Sequence, residues 1–219
     1  MSKLRIDIIS DIVCPWCIVG YRQLEQALEK TGTSADIHWH PFELNPQMPE
    51  AGQNLTEHMC KKYSMDETQS AENREKLIEV GKSLGFTFAY TEASRMVNTF
   101  KAHQLLHWAG QKNLEHELKQ ALFRTYFTDQ QDISDTAVLI DTAASVGLDK
   151  QEAKQILDRD TYASVVRQRE SHWTRQGIQG VPAMVINEKY LLSGAQGIDN
   201  YCQMIAQLEK DSEKPATQA

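Results

Sequence analysis

Cysteine is scarce in this sequence, with four residues in 219. That is too few to staple a chain of this size, so a disulfide scaffold is excluded. Long apolar runs are also missing: no stretch approaches the roughly 20 residues a membrane helix needs. The N-terminal segment MSKLRIDIISDIV is interrupted by Asp7 and Asp11, and no signal-type cleavage site follows it. Positive charge is in deficit, 23 Lys and Arg against 30 Asp and Glu, for a net charge of −7. That balance argues against nucleic acid or an anionic membrane as partner. Internal repeats and low-complexity tracts do not occur. These deficits point to a globular, cytoplasmic protein, whose 41% hydrophobic residues suffice for a core.

Hydrophobic patterning divides the chain into three parts. Leu4–Ser10 reads as a strand, Pro15 to about Lys30 as a helix stopped by Gly32, and Ala35–Phe42 as a second strand. From Asn54 to about Gly177 the periodicity is helical. Segments are expected over 97–109, 114–127, 135–146, from Asp149 with Glu152 as a capping pair, and over 162–173. Phe86–Tyr90 is the only strand candidate there. Strand character returns at Val181–Ile186 and Tyr190–Leu192, joined by a turn at Asn187 and Glu188, before a last helix at Ile198–Leu208. The fold class expected is α/β, a thioredoxin-like fold with a large all-helical insertion. Residues 1–53 and 177–210 would form the thioredoxin part, 54–176 the insertion and 211–219 a flexible tail.

What is present at the first strand-to-helix junction is SDIVCPWCIVGY, Ser10 to Tyr21. A thiolate is the nucleophile in disulfide exchange, and a free thiol with pKa of about 8.5 is mostly protonated at neutral pH. Cys14 just before a helix meets unpaired N–H groups and the positive end of the dipole, which favours its thiolate. Pro15 suits the first helical position because it has no N–H to leave unsatisfied. Cys17 lies one turn along and can resolve a mixed disulfide made by Cys14. Trp16 would shield the pair. A metal clip with His58 and Cys60 is the chemical alternative, although HxC on an amphipathic stretch matches zinc spacing poorly. Plain core packing is the third.

Gly180-Val181-Pro182 is the second signal. Proline opening a strand after glycine suits a cis peptide bond, and an ordinary trans bond is the alternative. In a thioredoxin fold this loop faces the active sulfur, where the Val181 backbone can pair with an extended substrate.

The stretches SDIVCPWCIVG, HPFELNP (His40–Pro46), NTFKAHQLLHWA (Asn98–Ala109), ALFRTYFT (Ala121–Thr128), GIQGVPAMVIN (Gly177–Asn187) and SGAQ (Ser193–Gln196) together resemble the DsbA-like oxidoreductases of the FrnE type. These are related to 2-hydroxychromene-2-carboxylate isomerases and kappa-class glutathione transferases. The resemblance implies thiol–disulfide oxidoreductase activity with Cys14 and Cys17 as the catalytic pair. It implies a cis-Pro182 and substrate contacts from Pro15, Trp16, Val181, Pro182, Asn98 and His103. The isomerase and transferase branches typically carry serine at the Cys14 position, so two cysteines favour redox exchange. No metal or resident cofactor is implied; glutathione enters at most as a co-substrate. Protein or small-molecule thiols and disulfides are the implied partners, and a homodimer is compatible with the resemblance.

Two departures qualify it. Thioredoxins bury an acid six residues before the first cysteine, and here that position is Ile8. Asp11 is left either as a proton relay or as a cap of the loop. DsbA proper has histidine between its cysteines, and Trp16 cannot act in that way, so a less oxidising potential is expected. His103 and His107 share a helical face without a third ligand, which reads as packing more than zinc binding. Cys60 and Cys202 read as inert thiols. A glutathione-dependent isomerase or transferase, and a redox-sensing or chaperone-like binder without enzymatic activity, remain as other readings.

Overall fold

A computed structural model describes residues 3–213. β1 (Leu4–Ser10) is the central strand, and Ile6, Ile8, Ile9 and Ser10 have no exposed surface. It is covered on both faces: Leu4, Ile6 and Ile8 alternate along one, while on the other Asp7 is buried against Arg5 and His40 and Ile9 packs with Ile178 and Ala183. β2 (Ala35–Pro41) pairs with it in parallel, Ile6 opposite Ile37 and Ile8 opposite Trp39. A parallel neighbour requires a crossover, supplied by α1 (Pro15–Thr31). On the other edge β5 (Ala183–Ile186) runs antiparallel to β1, and β6 (Tyr190–Ser193) completes the order β2-β1-β5-β6. The β5–β6 turn places Asn187 and Glu188 at positive φ, 51° and 57°, the geometry of a tight hairpin.

Between β2 and β5 the chain makes β3 (Gln53–Asn54), α2 (Leu55–Tyr63), α3 (Glu67–Ser83) and β4 (Arg95–Met96). There follow α4 (Phe100–Gln111), α5 (Glu115–Phe127), α6 (Thr136–Ser145), α7 (Lys150–Asp158) and α8 (Ala163–Arg175). α9 (Ile198–Glu213) packs on α1, whereas α5 and α8 pack on β2. The buried apolar residues of the sheet and of these helices form one continuous cluster, from Ile6 and Leu24 to Phe127 and Leu157. Each fully buried Ile, Leu or Phe there contributes about 1.5–3 kcal/mol relative to exposure.

Three expectations need correction. Phe86–Tyr90 joins no ladder; Phe86 and Phe88 are buried and set their rings edge-on to Phe127. A two-residue ladder, Gln53 opposite Met96 and Asn54 opposite Arg95, forms instead. Gly52 makes this clasp possible: at φ +64° it approaches so closely that a Cβ would lie 2.7 Å from the Met96 carbonyl. The helix expected from Val97 starts at Phe100, because the Asn98 Oδ1 accepts the Phe100 N–H at 2.9 Å and turns the chain there. The last helix runs on to Glu213, past the expected start of the tail; residues 214–219 lie outside the described residues. Asp149 does cap α7, its Oδ1 accepting the Glu152 N–H at 2.7 Å.

Candidate active site

The turn from β1 into α1 brings the two cysteines together at the helix N-terminus. Cys14 is the N-cap, in extended conformation, and its carbonyl accepts the Cys17 N–H at 3.0 Å. Both are free thiols. Pro15 occupies the first helical position beside them, and Trp16 stands 48% exposed. Across from Cys14 the Val181–Pro182 peptide bond is cis. The Cys14 thiol donates to the Val181 carbonyl at 3.6 Å, between residues 167 apart in sequence. Gly20 lets this loop approach α1, since a Cβ on it would stand 3.3 Å from the Pro182 ring.

The two sulfurs face different surroundings. Cys14 lines a cavity of about 380 Å³ whose walls include Leu55, Met59, Leu77 and Phe127. Cys17 has no exposed surface. Behind it lie the Ser10 hydroxyl, buried and without a hydrogen-bond partner, and Lys119. Burial alone would push the Cys17 thiol up. It is outweighed by the neighbouring Cys14 thiol and Ser10 hydroxyl and by the charge of Lys119, which together hold Cys17 below the usual thiol range. Cys14 is pushed well up, first by the adjacent Cys17 and then by burial. The helix-end argument placed the thiolate on Cys14. In the dithiol the lower of the two thiol pKa values belongs to Cys17, because the cation is on that side.

Lys119, on α5, is the functional residue that sequence reading missed. It is 1% exposed, and its Nζ reaches the Ser10 carbonyl at 3.5 Å between the rings of Trp39 and Phe123, 5.3 and 5.1 Å away. Burial pulls its pKa down to about 8, against the opposing charges of Cys17, Asp11, Glu115 and Cys14. Its one visible signal was position: Leu118, Leu122 and Phe123 flank it on a helix whose apolar arc is wide.

Asp11 is buried completely. Its Oδ2 accepts the Leu44 N–H at 2.7 Å and its Oδ1 lies 3.4 Å from the His103 Nε2. Burial pushes its carboxyl up, but the nearby His103 imidazole and the Leu44 N–H outweigh it, so the group stays below its ordinary value. This geometry gives Asp11 the task of fastening the loop after β2. His103, expected at the substrate, is 2% exposed; its Nε2 donates toward the Phe42 carbonyl at 3.1 Å behind the site. Asn98 holds the start of α4 and donates to the Met48 carbonyl at 3.4 Å. His40 turns away from the dithiol to Asp7, at 2.8 Å, and meets the Trp173 ring at a tilt of 59°. His107 meets Arg169 at 3.2 Å, so the two histidines of α4 serve different partners. Among the described residues no group of three or more His, Cys, Asp or Glu side chains could hold a metal, and His58 and Cys60 form no such set with the dithiol. No described helix is long and apolar enough to cross a membrane.

A model of the DSBA-like thioredoxin domain matches residues 5–206. The chain belongs to the DSBA-like thioredoxin family. This DSBA-like protein is 31% identical over 208 residues to YwbO of Bacillus subtilis (strain 168), itself uncharacterized, covering 94% of this chain and 98% of that one. A probable DsbA oxidoreductase from Streptomyces coelicolor superposes with a TM-score of 0.89 at 29% identity, over 99% of this chain and 93% of that one. The cytosolic disulfide reductase DsbM of Pseudomonas aeruginosa, solved with glutathione, shares the fold at a TM-score of 0.63 and 16% identity, over 94% and 99% of the two chains. As a DSBA-like protein with a paired Cys14 and Cys17, it is a thiol oxidoreductase by family.

Proposed function

We propose that this protein is a cytoplasmic dithiol–disulfide oxidoreductase that reduces small disulfides through Cys14 and Cys17, with glutathione as the source of electrons. One observation carries the reading: Cys14 stands at the wall of a cavity against the Val181 carbonyl, with Cys17 sealed behind it. Access makes Cys14 the attacking sulfur. Cys14 attacks one sulfur of the substrate disulfide as its thiolate, its proton passing to the half that leaves. That S–S bond breaks, a mixed disulfide forms, and the first substrate half leaves with the bonding pair. Cys17 then attacks the Cys14 sulfur as its thiolate, its proton passing to the second half. The second half leaves, and two electrons have passed from the protein to the substrate. Two glutathione molecules reduce the Cys14–Cys17 disulfide in turn and become one glutathione disulfide. Ser10 and Lys119 act on the second step, by offering a hydroxyl donor and a cation to the Cys17 thiolate. The cytosolic relative solved with glutathione supports both compartment and electron source.

The test is equilibration of the protein in glutathione buffers, with the dithiol counted by alkylation. The expected result is one two-electron transition at a potential of about −200 to −300 mV, absent in Cys14→Ser. A value near about −120 mV would make the protein an oxidant and reverse the proposed direction. Rapid transfer of glutathione to an electrophile, with no reversible disulfide, would favour the isomerase or transferase reading.

A further inference from the structure

The cavity at Cys14 is built for a particular kind of disulfide. It is enclosed by α2, α3, α5 and the Leu44 loop, and most of its wall is aliphatic or aromatic. Among the described residues its charged lining is Arg74 and Lys76, with no aspartate or glutamate. In a chain of net charge −7 that is a local inversion of sign. Neither cation forms an ion pair among the described residues. Arg74 is half-buried, and one nitrogen of its guanidinium, Nη1, donates to two neutral hydroxyls, Thr56 at 2.8 Å and Ser70 at 3.1 Å. Those bonds fix the side chain and leave donors without a carboxylate. Lys62 adds a third cation nearby, held by the Leu44 carbonyl at 2.9 Å and the Asn45 Oδ1 at 2.7 Å. An arginine beside an apolar wall and without an anion is the arrangement that recognises a carboxylate in a fixed orientation.

Resting on the oxidoreductase reading, we propose that the cavity selects small disulfides whose arm combines an apolar, preferably aromatic, body with a carboxylate. The body fills the space between Met59, Leu77 and Phe127, and the carboxylate meets Arg74. The disulfide sulfur then stands before Cys14. About 380 Å³ is the size of one such arm, toward the small end of ligand pockets. A charge-assisted hydrogen bond to the guanidinium is worth about 1.5–3 kcal/mol, or roughly ten- to a hundredfold in rate when it is made in the transition state.

The experiment uses the full chain with Cys60→Ser and Cys202→Ser, and follows the first release of thiolate from two aromatic disulfides. One is 5,5′-dithiobis(2-nitrobenzoate), which carries carboxylates; the other is the neutral 4,4′-dithiodipyridine. The readout is the ratio of the two rates within one variant, divided by the same ratio for free glutathione, so that a general loss of reactivity cancels. We expect the unmutated site to favour the carboxylate by about tenfold or more, and the preference to fall with salt. Arg74→Met should remove about tenfold of the ratio, and Arg74→Lys should restore part of it. A ratio unchanged in Arg74→Met overturns the inference. So does a cationic disulfide, cystamine, that reacts as fast as the anionic one, or insulin reduced with the higher kcat/KM, which would point to a protein substrate. If neither aromatic disulfide gives a Cys14-dependent release, the oxidoreductase reading itself fails.

Discussion

The two sides of the dithiol are made of different materials. In front of Cys14 is an apolar cavity edged by cations, assembled from α2, α3 and α5. Behind Cys17 is a buried polar layer: Ser10, Asp11, His103 and Lys119, each with 2% or less of its surface exposed. The front meets the substrate and sets which disulfide reacts. The back never meets it and sets how readily the sulfurs ionise. A low dielectric magnifies that control, since a charge behind Cys17 is not screened by water. The contrast also separates two kinds of mutation, those that change selectivity and those that change rate or potential.

Removing a sulfur tests the contrast most severely. Cys14→Ser should lower disulfide reduction by on the order of 1000-fold. Cys17→Ser should instead leave Cys14 able to attack and accumulate a stable mixed disulfide, visible by mass spectrometry. A mixed disulfide on Cys17 in the Cys14→Ser protein would reverse the assignment of front and back. Asp11→Asn comes next. It replaces a buried charge that His103 and the Leu44 N–H both stabilise, and should cost about 3 kcal/mol in urea unfolding. Unchanged stability would show that Asp11 does not fasten the loop after β2.

Lys119→Met separates rate from stability. Resolution of a mixed disulfide should slow about tenfold at pH 7, with its pH midpoint moved upward, because Cys17 loses its cation. Stability should move the other way. Lys119 has a pKa of about 8 when folded and 10.5 ordinarily, so between those values the unfolded chain binds more protons. Its burial therefore destabilises the fold fully below pH 8, and the cost disappears as pH rises toward 10.5. The variant should be more stable than the parent by up to about 3 kcal/mol at pH 7, with the gap narrowing at pH 9.5. A Lys119→Met protein that is less stable and resolves normally would make Lys119 a packing residue. The smallest effect belongs to Ser10→Ala, about two- to fivefold on the resolving step from one neutral hydrogen bond to the thiolate. The first attack by Cys14 should change less than the second step.

The dithiol junction and the elements around it were legible in the residues, and what escaped did so for physical reasons. β1, α1 and β2 carry local signals: a period, a proline at the helix start, a glycine behind its end. So did the CxxC junction and the β5–β6 hairpin. The Gln53–Met96 ladder has two residues per strand, too few for any period to register. Phe86–Tyr90 has strand composition, yet its rings are held by Phe127 and not by a ladder. Lys119 sits in a helix whose apolar arc is wider than the stripe Leu114, Leu118, Leu122, and a lysine at its margin reads as solvent-facing until β2 and α1 are brought against it. His103 shows the converse. A resemblance put it at the substrate groove, but only the fold reveals that Asp11 and the Phe42 carbonyl hold it from behind.

The short ladder between β3 and β4 has an evolutionary consequence. The chain from Leu55 to Ser94, including Arg74 and most of the cavity's far wall, enters and leaves through one clasp and is anchored within by Phe86 and Phe88 on Phe127. The dithiol, the cis-Pro182 loop and Lys119 all lie outside that excursion. Such a segment can be exchanged for one of another length or charge while the electron-transferring machinery is inherited intact. Among proteins with this dithiol, taste in substrates is therefore expected to diverge in the excursion first, and a graft of residues 55–94 between two of them should carry the preference with it.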